Sequence, residues 1–330
     1  MSKMNTPARG LVSGNEVDAP KGSCQMNTTI SSNNKVRWRQ MLPALFFVSL
    51  LAIGCKDDEE VILPTSTLEL NISGLEDLGP DYEYEGWMMV NGAPITTGRF
   101  SVDAMGNLSR TNFALSGEQL SAATAFILTI EPAIGDDPAP SDVHILAGDF
   151  SGNSGAMTTA DARAIGTNFA SVAGTYIIAT PTNDAMDDEY SGVWFLDNSS
   201  GTPMAGLSLP QLPAAWVYEG WVVIDGVAVS TGTFSQAMGA DSFSGFSGNN
   251  GAPPFPGEDF LENAPAGLSF PVDVRGGNVV ISVEPVPDNS AAPFLLKPLV
   301  HMPALDAGVH SALSMNQNLG SIPVGSFVRK

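Results

Sequence analysis

Residues 84–100 read YEGWMMVNGAPITTGRF and residues 218–234 read YEGWVVIDGVAVSTGTF, with eight of seventeen positions identical. A match of that length within one chain marks an internal repeat. Each segment places a turn dipeptide, Asn91-Gly92 or Asp225-Gly226, between two β-rich runs. A two-residue type I′ turn needs positive φ at both central positions, which Asn, Asp and Gly tolerate, so each segment is expected to be a β-hairpin. Pro94 fits this register. In such a hairpin Val90 and Ala93 form the hydrogen-bonded pair, and the nitrogen of residue 94 turns away from the partner strand.

The repeat extends on both sides of the hairpin. Upstream, the same offset aligns Leu75 with Leu209 and Leu78 with Leu212. Downstream, AFILTIEPAIGDDPAP at 125–140 matches NVVISVEPVPDNSAAP at 278–293, placing Glu131-Pro132 over Glu284-Pro285. A weaker third block pairs NFASVAGTYII at 168–178 with NLGSIPVGSFV at 318–328. Three blocks in one order indicate a duplicated unit. The expected division is residues 64–181 for the first β-domain and 182–330 for the second, the boundary lying in the acidic loop TNDAMDDE. The second copy carries an insertion near 250–268.

Alternation with period two, as in Leu68, Leu70 and Ile72 or Val279, Ile281 and Val283, indicates half-buried antiparallel strands. Helix signals are few, the best being 158–165 and 308–317. The fold class expected is all-β, with two tandem β-sandwich-like domains. Tyr84, Gly86, Trp87, Gly98 and Phe100, with their counterparts Tyr218, Gly220, Trp221, Gly232 and Phe234, are read as structural positions of the repeat. One aromatic per strand at a repeated position anchors a core more often than it stacks on sugar. Glu131 and Glu284 stand at strand ends before a proline, where a carboxylate can accept hydrogen bonds from nearby backbone amides.

Residues 41–54, MLPALFFVSLLAIG, form an uncharged apolar run preceded by Lys35, Arg37 and Arg39. That is the pattern of a secretory signal, and it is too short to span a bilayer. It ends in Leu51-Ala52-Ile53-Gly54-Cys55, which resembles a lipobox, with Ala52 where leucine is usual. Residues 1–54 are therefore read as leader and lipoprotein signal peptide, the first 25 being an artefact of start-site choice with Met26 the true start. Cys55 is read as the lipidated residue and 55–63 as an acidic tether. Lys56, Asp57, Asp58, Glu59 and Glu60 resemble the lysine-plus-acids export signal of Bacteroidota surface lipoproteins. Two or more acyl chains anchor a protein durably at about 0.8 kcal/mol per buried methylene. The resulting expectation is an outer-membrane lipoprotein exposed at the cell surface, with the membrane as partner through its lipid.

Formal charge is −21, and from Cys55 onward 33 acids face 8 bases. A surface this anionic repels nucleic acid, which drops out as a partner. Cys24 precedes the signal, so the mature chain holds Cys55 alone, and disulfides and cysteine-ligated zinc are excluded from it. No catalytic motif is recognisable, and the repeat does not preserve His144, His301 or His310. Asp184, Asp187, Asp188 and Glu189, and separately Glu258, Asp259 and Glu262, are acidic clusters with oxygen ligands suited to calcium, the one cofactor considered.

A Tyr-x-x-Trp strand, a Gly turn, a Thr-Gly-x-Phe strand and a strand ending in Glu-Pro with Ala-Pro shortly after occur in both copies. This combination resembles the extracytoplasmic domain of anti-sigma-K-type anti-sigma factors. The sigma-binding domain and membrane-spanning helix of that family have no counterpart here. The resemblance implies architecture more than activity. The expected function is non-enzymatic binding, sensing or envelope structure, with an unknown envelope protein or glycan as partner. Alternatives are an accessory regulator of a transmembrane, anti-sigma-type signalling system, and a carbohydrate-binding or adhesion module.

Overall fold

The computed structural model describes residues 65–288 and 290–330. The leader, Cys55 and the export residues Lys56, Asp57, Asp58, Glu59 and Glu60 lie outside the described residues. Among the described residues no helix is long and apolar enough to cross a membrane. The fold is all-β. Several antiparallel sheets carry it, and the described residues form one compact unit.

In the first copy the chain forms β1 (Thr65–Ser73), β2 (Tyr82–Val90), β3 (Ala93–Phe100) and β4 (Asn112–Ser116). A short helix, α1 (Gly117–Ala122), is capped by the Ser116 hydroxyl, which accepts from the Gln119 amide. Then follow β5 (Ala123–Pro132), β6 (His144–Asp149), β7 (Ser154–Thr158) and β8 (Ala173–Ile178).

The second copy opens with four short strands, β9 (Gly192–Trp194), β10 (Leu196–Asp197), β11 (Met204–Ala205) and β12 (Leu207–Ser208). Its hairpin is β13 (Trp216–Ile224) and β14 (Val227–Phe234). After these come β15 (Gly257–Asp259), β16 (Asn278–Pro285) and β17 (Leu299–His301). The chain ends in β18 (Leu313–Ser314), β19 (Asn316–Gln317) and β20 (Val324–Arg329).

Strand pairing shows how the repeats assemble. One sheet runs β3-β2-β5-β6-β7-β20-β1-β4, so the last strand of the second copy sits between β7 and β1 of the first. Reciprocally, β8, the last strand of the first copy, pairs with β9, β12 and β18 of the second. Each copy thus donates its final strand to the other. The weak block pairing 168–178 with 318–328 in sequence is this exchanged strand. The sequence boundary near residue 182 separates repeats, whereas the sheets are built across it.

Both hairpins form with the expected turn: φ is 52° at Asn91 and 80° at Gly92, and 50° at Asp225 and 82° at Gly226. In both, the register slips by one residue beside a glycine pair, Gly86↔Gly98 and Gly220↔Gly232, leaving Thr97 or Thr231 as the bulged residue. A Cβ at Gly86 would meet Phe126 at 2.7 Å, and one at Gly220 would meet Phe195 at 2.6 Å, so the sheet curls over these positions without side chains. The edge strands β3 and β4 of the eight-stranded sheet come into contact, so that sheet nearly closes, and β14 and β15 bring together the edges of the second copy's two sheets. One core cluster runs through both copies, from Leu68, Phe113 and Phe126 to Phe195, Ile281 and Phe327.

Both helix expectations are corrected. Residue 158 ends β7 and 159–165 form turns and a bend instead of a helix, and 308–317 supply β18 and β19. Both stretches are too short to hold a helix without a buried face, and pairing with β8 and β17 claims the second. The insertion near 250–268 contains β15, which pairs with β9 as β4 pairs with β1. Glu258 and Asp259 on that strand are consequently fully buried, while Glu262 is exposed.

Candidate acidic site between the copies

The repeat positions build one hydrogen-bond relay twice. The indole N–H of Trp87 donates to Thr129 Oγ1 at 2.9 Å, Thr129 donates to Glu131, and the Ser141 amide donates to Glu131 Oε1 at 2.8 Å. In the second copy Trp221 donates to Ser282 Oγ at 2.8 Å, Ser282 to Glu284, and the Phe294 amide to Glu284 Oε1 at 2.9 Å. Tyr84 and Tyr218 donate to the carbonyls of Glu76 and Pro210, at 3.1 and 2.7 Å. All four aromatic rings are buried, so none offers a face to solvent for a sugar. Phe100 and Phe234 stack on Tyr84 and Tyr218.

Beside each relay stands a second glutamate from the Tyr-Glu-Gly-Trp strand, Glu85 or Glu219, only 5% exposed in both cases. Thr96 donates to Glu85 and Ser230 to Glu219. Beyond that point the copies diverge. Directly across the hairpin from Glu85 lies Arg99, whose guanidinium donates to Glu85 Oε2 at 2.8 Å, to the Pro132 carbonyl at 3.0 Å, and to Asp136. Across from Glu219 lies Thr233, an uncharged residue.

In the second copy Glu219, Glu284 and Asp288 therefore converge without such a cation, one carboxylate oxygen of each lying within 4.8 Å of the others. Among the described residues none of the three joins an ion pair. Glu219 Oε2 is buried and receives no hydrogen bond. Burial pushes the Glu219 carboxyl up to about 8, against the Ser230 hydrogen bond, with Asp288 and Glu284 raising it further. Burial likewise raises Glu284 to about 7, opposed by Ser282 and the Phe294 amide.

A cleft of about 210 Å³ opens onto this cluster, lined by Glu76, Asp77 and Asp81 from the first copy and by Glu284, Asp288 and Phe294 from the second. Burial raises Glu76 to about 7, and Lys297 pulls it back down. Five carboxylates thus face one opening built from both repeats, an arrangement suited to a positively charged or hydroxyl-rich ligand.

The other candidates lie elsewhere. Asp184 accepts from Asn250 at 3.0 Å, Asp188 accepts from Asn183 at 2.7 Å, and Asp187 is exposed. Asp259 accepts from Trp194 at 2.7 Å and from the Thr182 amide at 2.8 Å, which holds β15 to the loop after β8. Glu258 and Asp241 are both raised to about 7 by burial. The histidines do not meet: His144 bonds the Arg163 carbonyl, His301 bonds Tyr176, and His310 faces Glu189 at 3.1 Å. Sequence reading singled out Glu284 but passed over Glu219 and Asp288. The available signal was Arg99 against Thr233 in an otherwise similar seventeen-residue repeat. No family model, curated protein or solved structure matches this chain.

Proposed function

We propose that this chain is a surface-displayed, lipid-anchored, non-enzymatic binding protein whose ligand enters the acidic cleft between the two repeats. The observation that carries the binding half is the cleft itself, since carboxylates from both copies face one opening that exists only because the repeats are interlocked. The display half rests on the lipobox-like run ending at Cys55. β1 starts at Thr65, so the ten residues from Cys55 to Pro64 can span at most about 35 Å even when fully extended. An acylated Cys55 would hold the β body close against the membrane, with the tether acids repelled from anionic headgroups.

Expression with labelled palmitate tests the anchor. Label and detergent-phase partitioning are expected for the native chain and absent from Cys55→Ser; label retained in the variant would overturn the reading. A hydrolytic activity that disappears on substitution of one Asp or His would overturn the non-enzymatic part. The resemblance of both copies to anti-sigma outer domains supports a second reading, an accessory regulator of a transmembrane signalling system. Recovery of a sigma regulator with the native chain from solubilised envelopes would favour it.

A further inference from the structure

We infer that Glu219, Glu284 and Asp288 form a calcium site at the floor of the cleft, which deepens the binding reading above by naming a ligand class.

The first copy shows what the geometry asks for. There, the glutamate of the Tyr-Glu-Gly-Trp strand, the carbonyl of the Glu-Pro proline and an acid from the following loop all bond one guanidinium, that of Arg99. The second copy keeps Glu219 and the Glu-Pro proline, Pro285, brings in Asp288 from the following loop one position ahead of the residue aligned with Asp136, and has Thr233 where the first copy has the arginine. It keeps Glu284 beside them as well. A positive charge is part of the design in one half, and the other half leaves its place to be filled from solution.

Two further observations point to a ligand. Glu219 Oε2 is buried with no donor, on a residue 95% removed from solvent whose carboxylate stands against Glu284 and Asp288, and an unpaired buried carboxylate is costly. The donors are all oxygen, the ligand type that calcium takes in flexible geometry, and one oxygen of each lies within 4.8 Å of the others. Asp288 is half-buried and lines the cleft, which gives the ion a path from solvent.

The test is calcium titration by calorimetry on the full chain in detergent, after chelator treatment at pH 7.5. One saturable site per chain is expected, with magnesium weaker. Asp288→Asn removes a half-buried loop ligand with little risk to folding and is expected to weaken binding by about tenfold or more. Thr233→Arg is expected to abolish the site by supplying the guanidinium in place of the ion. Arg99→Thr is expected to open a second site in the first copy. Absence of saturable calcium binding by the native chain would overturn the inference. So would binding unchanged by both Asp288→Asn and Thr233→Arg, or binding lost through Asp184→Asn or Asp187→Asn. The anchor is tested separately: calcium binding that survives alongside a Cys55→Ser variant still labelled by palmitate would sink the anchor alone.

Discussion

Glu85 and Glu219 occupy the same place in the two repeats, on the same strand, beside the same bulge, at the same 5% exposure. Glu85 meets Arg99 at 2.8 Å, and Glu219 meets Thr233 and two further carboxylates. Duplication copied a scaffold that buries acid, and the halves then diverged in how that acid is neutralised. Where arginine stays, charge is balanced within the chain and the site is closed to ligands. Where it is replaced, the balance has to come from protons or from an ion, so a structural pair in one half becomes a candidate binding site in the other.

The comparison presumes that each half is completed by the other's last strand, and breaking that should have the largest effect. Phe327 on β20 is fully buried against Phe126 and Phe150 in the first copy's sheet. Phe327→Ala is expected to cost about 3–5 kcal/mol in denaturant unfolding. It should destabilise the first-copy hairpin as well as the C-terminus in hydrogen exchange. Protection lost only after residue 320 would contradict an interlocked body.

Removing the internal cation comes next. Arg99→Met leaves the buried Glu85 and Asp136 without a cation and should destabilise by about 3 kcal/mol, whereas Thr233→Met should change stability by well under 1 kcal/mol. Equal effects in urea melts would erase the distinction between the halves. The shared scaffold predicts the opposite for the glycines. Gly86→Ala and Gly220→Ala each push a methyl into an aromatic ring and a threonine hydroxyl, and should cost a similar amount, about 1–3 kcal/mol.

The smallest expected effect is a pH dependence contributed by Glu219 and Glu284 of the second half. Glu219 and Glu284 are raised to about 8 and 7 in the folded chain from an ordinary value near 4.5. Between those limits the folded state holds protons that the unfolded state releases, so their contribution to stability falls as pH rises. In chelator, the native chain is expected to lose stability from pH 5 to 8 relative to Glu219→Gln. Parallel Tm curves for the two would show that Glu219 does not titrate in that window.

Much of the scaffold could be read from the chain. Asn91-Gly92 and Asp225-Gly226 announced their turns because few residues accept positive φ at both positions. The recurring Trp and Tyr were read from the chain as core anchors and Glu131 and Glu284 as acceptors of backbone amides, while Thr129 and Ser282, which link them, carried no signal. The candidate site was half legible. Glu284 stood out by recurrence, but Glu219 hid inside a motif that looked wholly structural, and Asp288 had no counterpart to align with. Glu258 and Asp259 misled in the other direction, because acids in an insertion suggest solvent and only the pairing of β15 with β9 shows them buried.

Local chemistry therefore determined the turns, the alternation of the strands, the duplication and the all-β class, because each depends on residues within a few positions of one another. Tertiary structure decided which copy receives β8 and β20, and that Glu219, Glu284 and Asp288 meet. Those outcomes depend on closing loops of tens to hundreds of residues, where many strands offer equivalent backbone edges and the choice is made by the whole core at once.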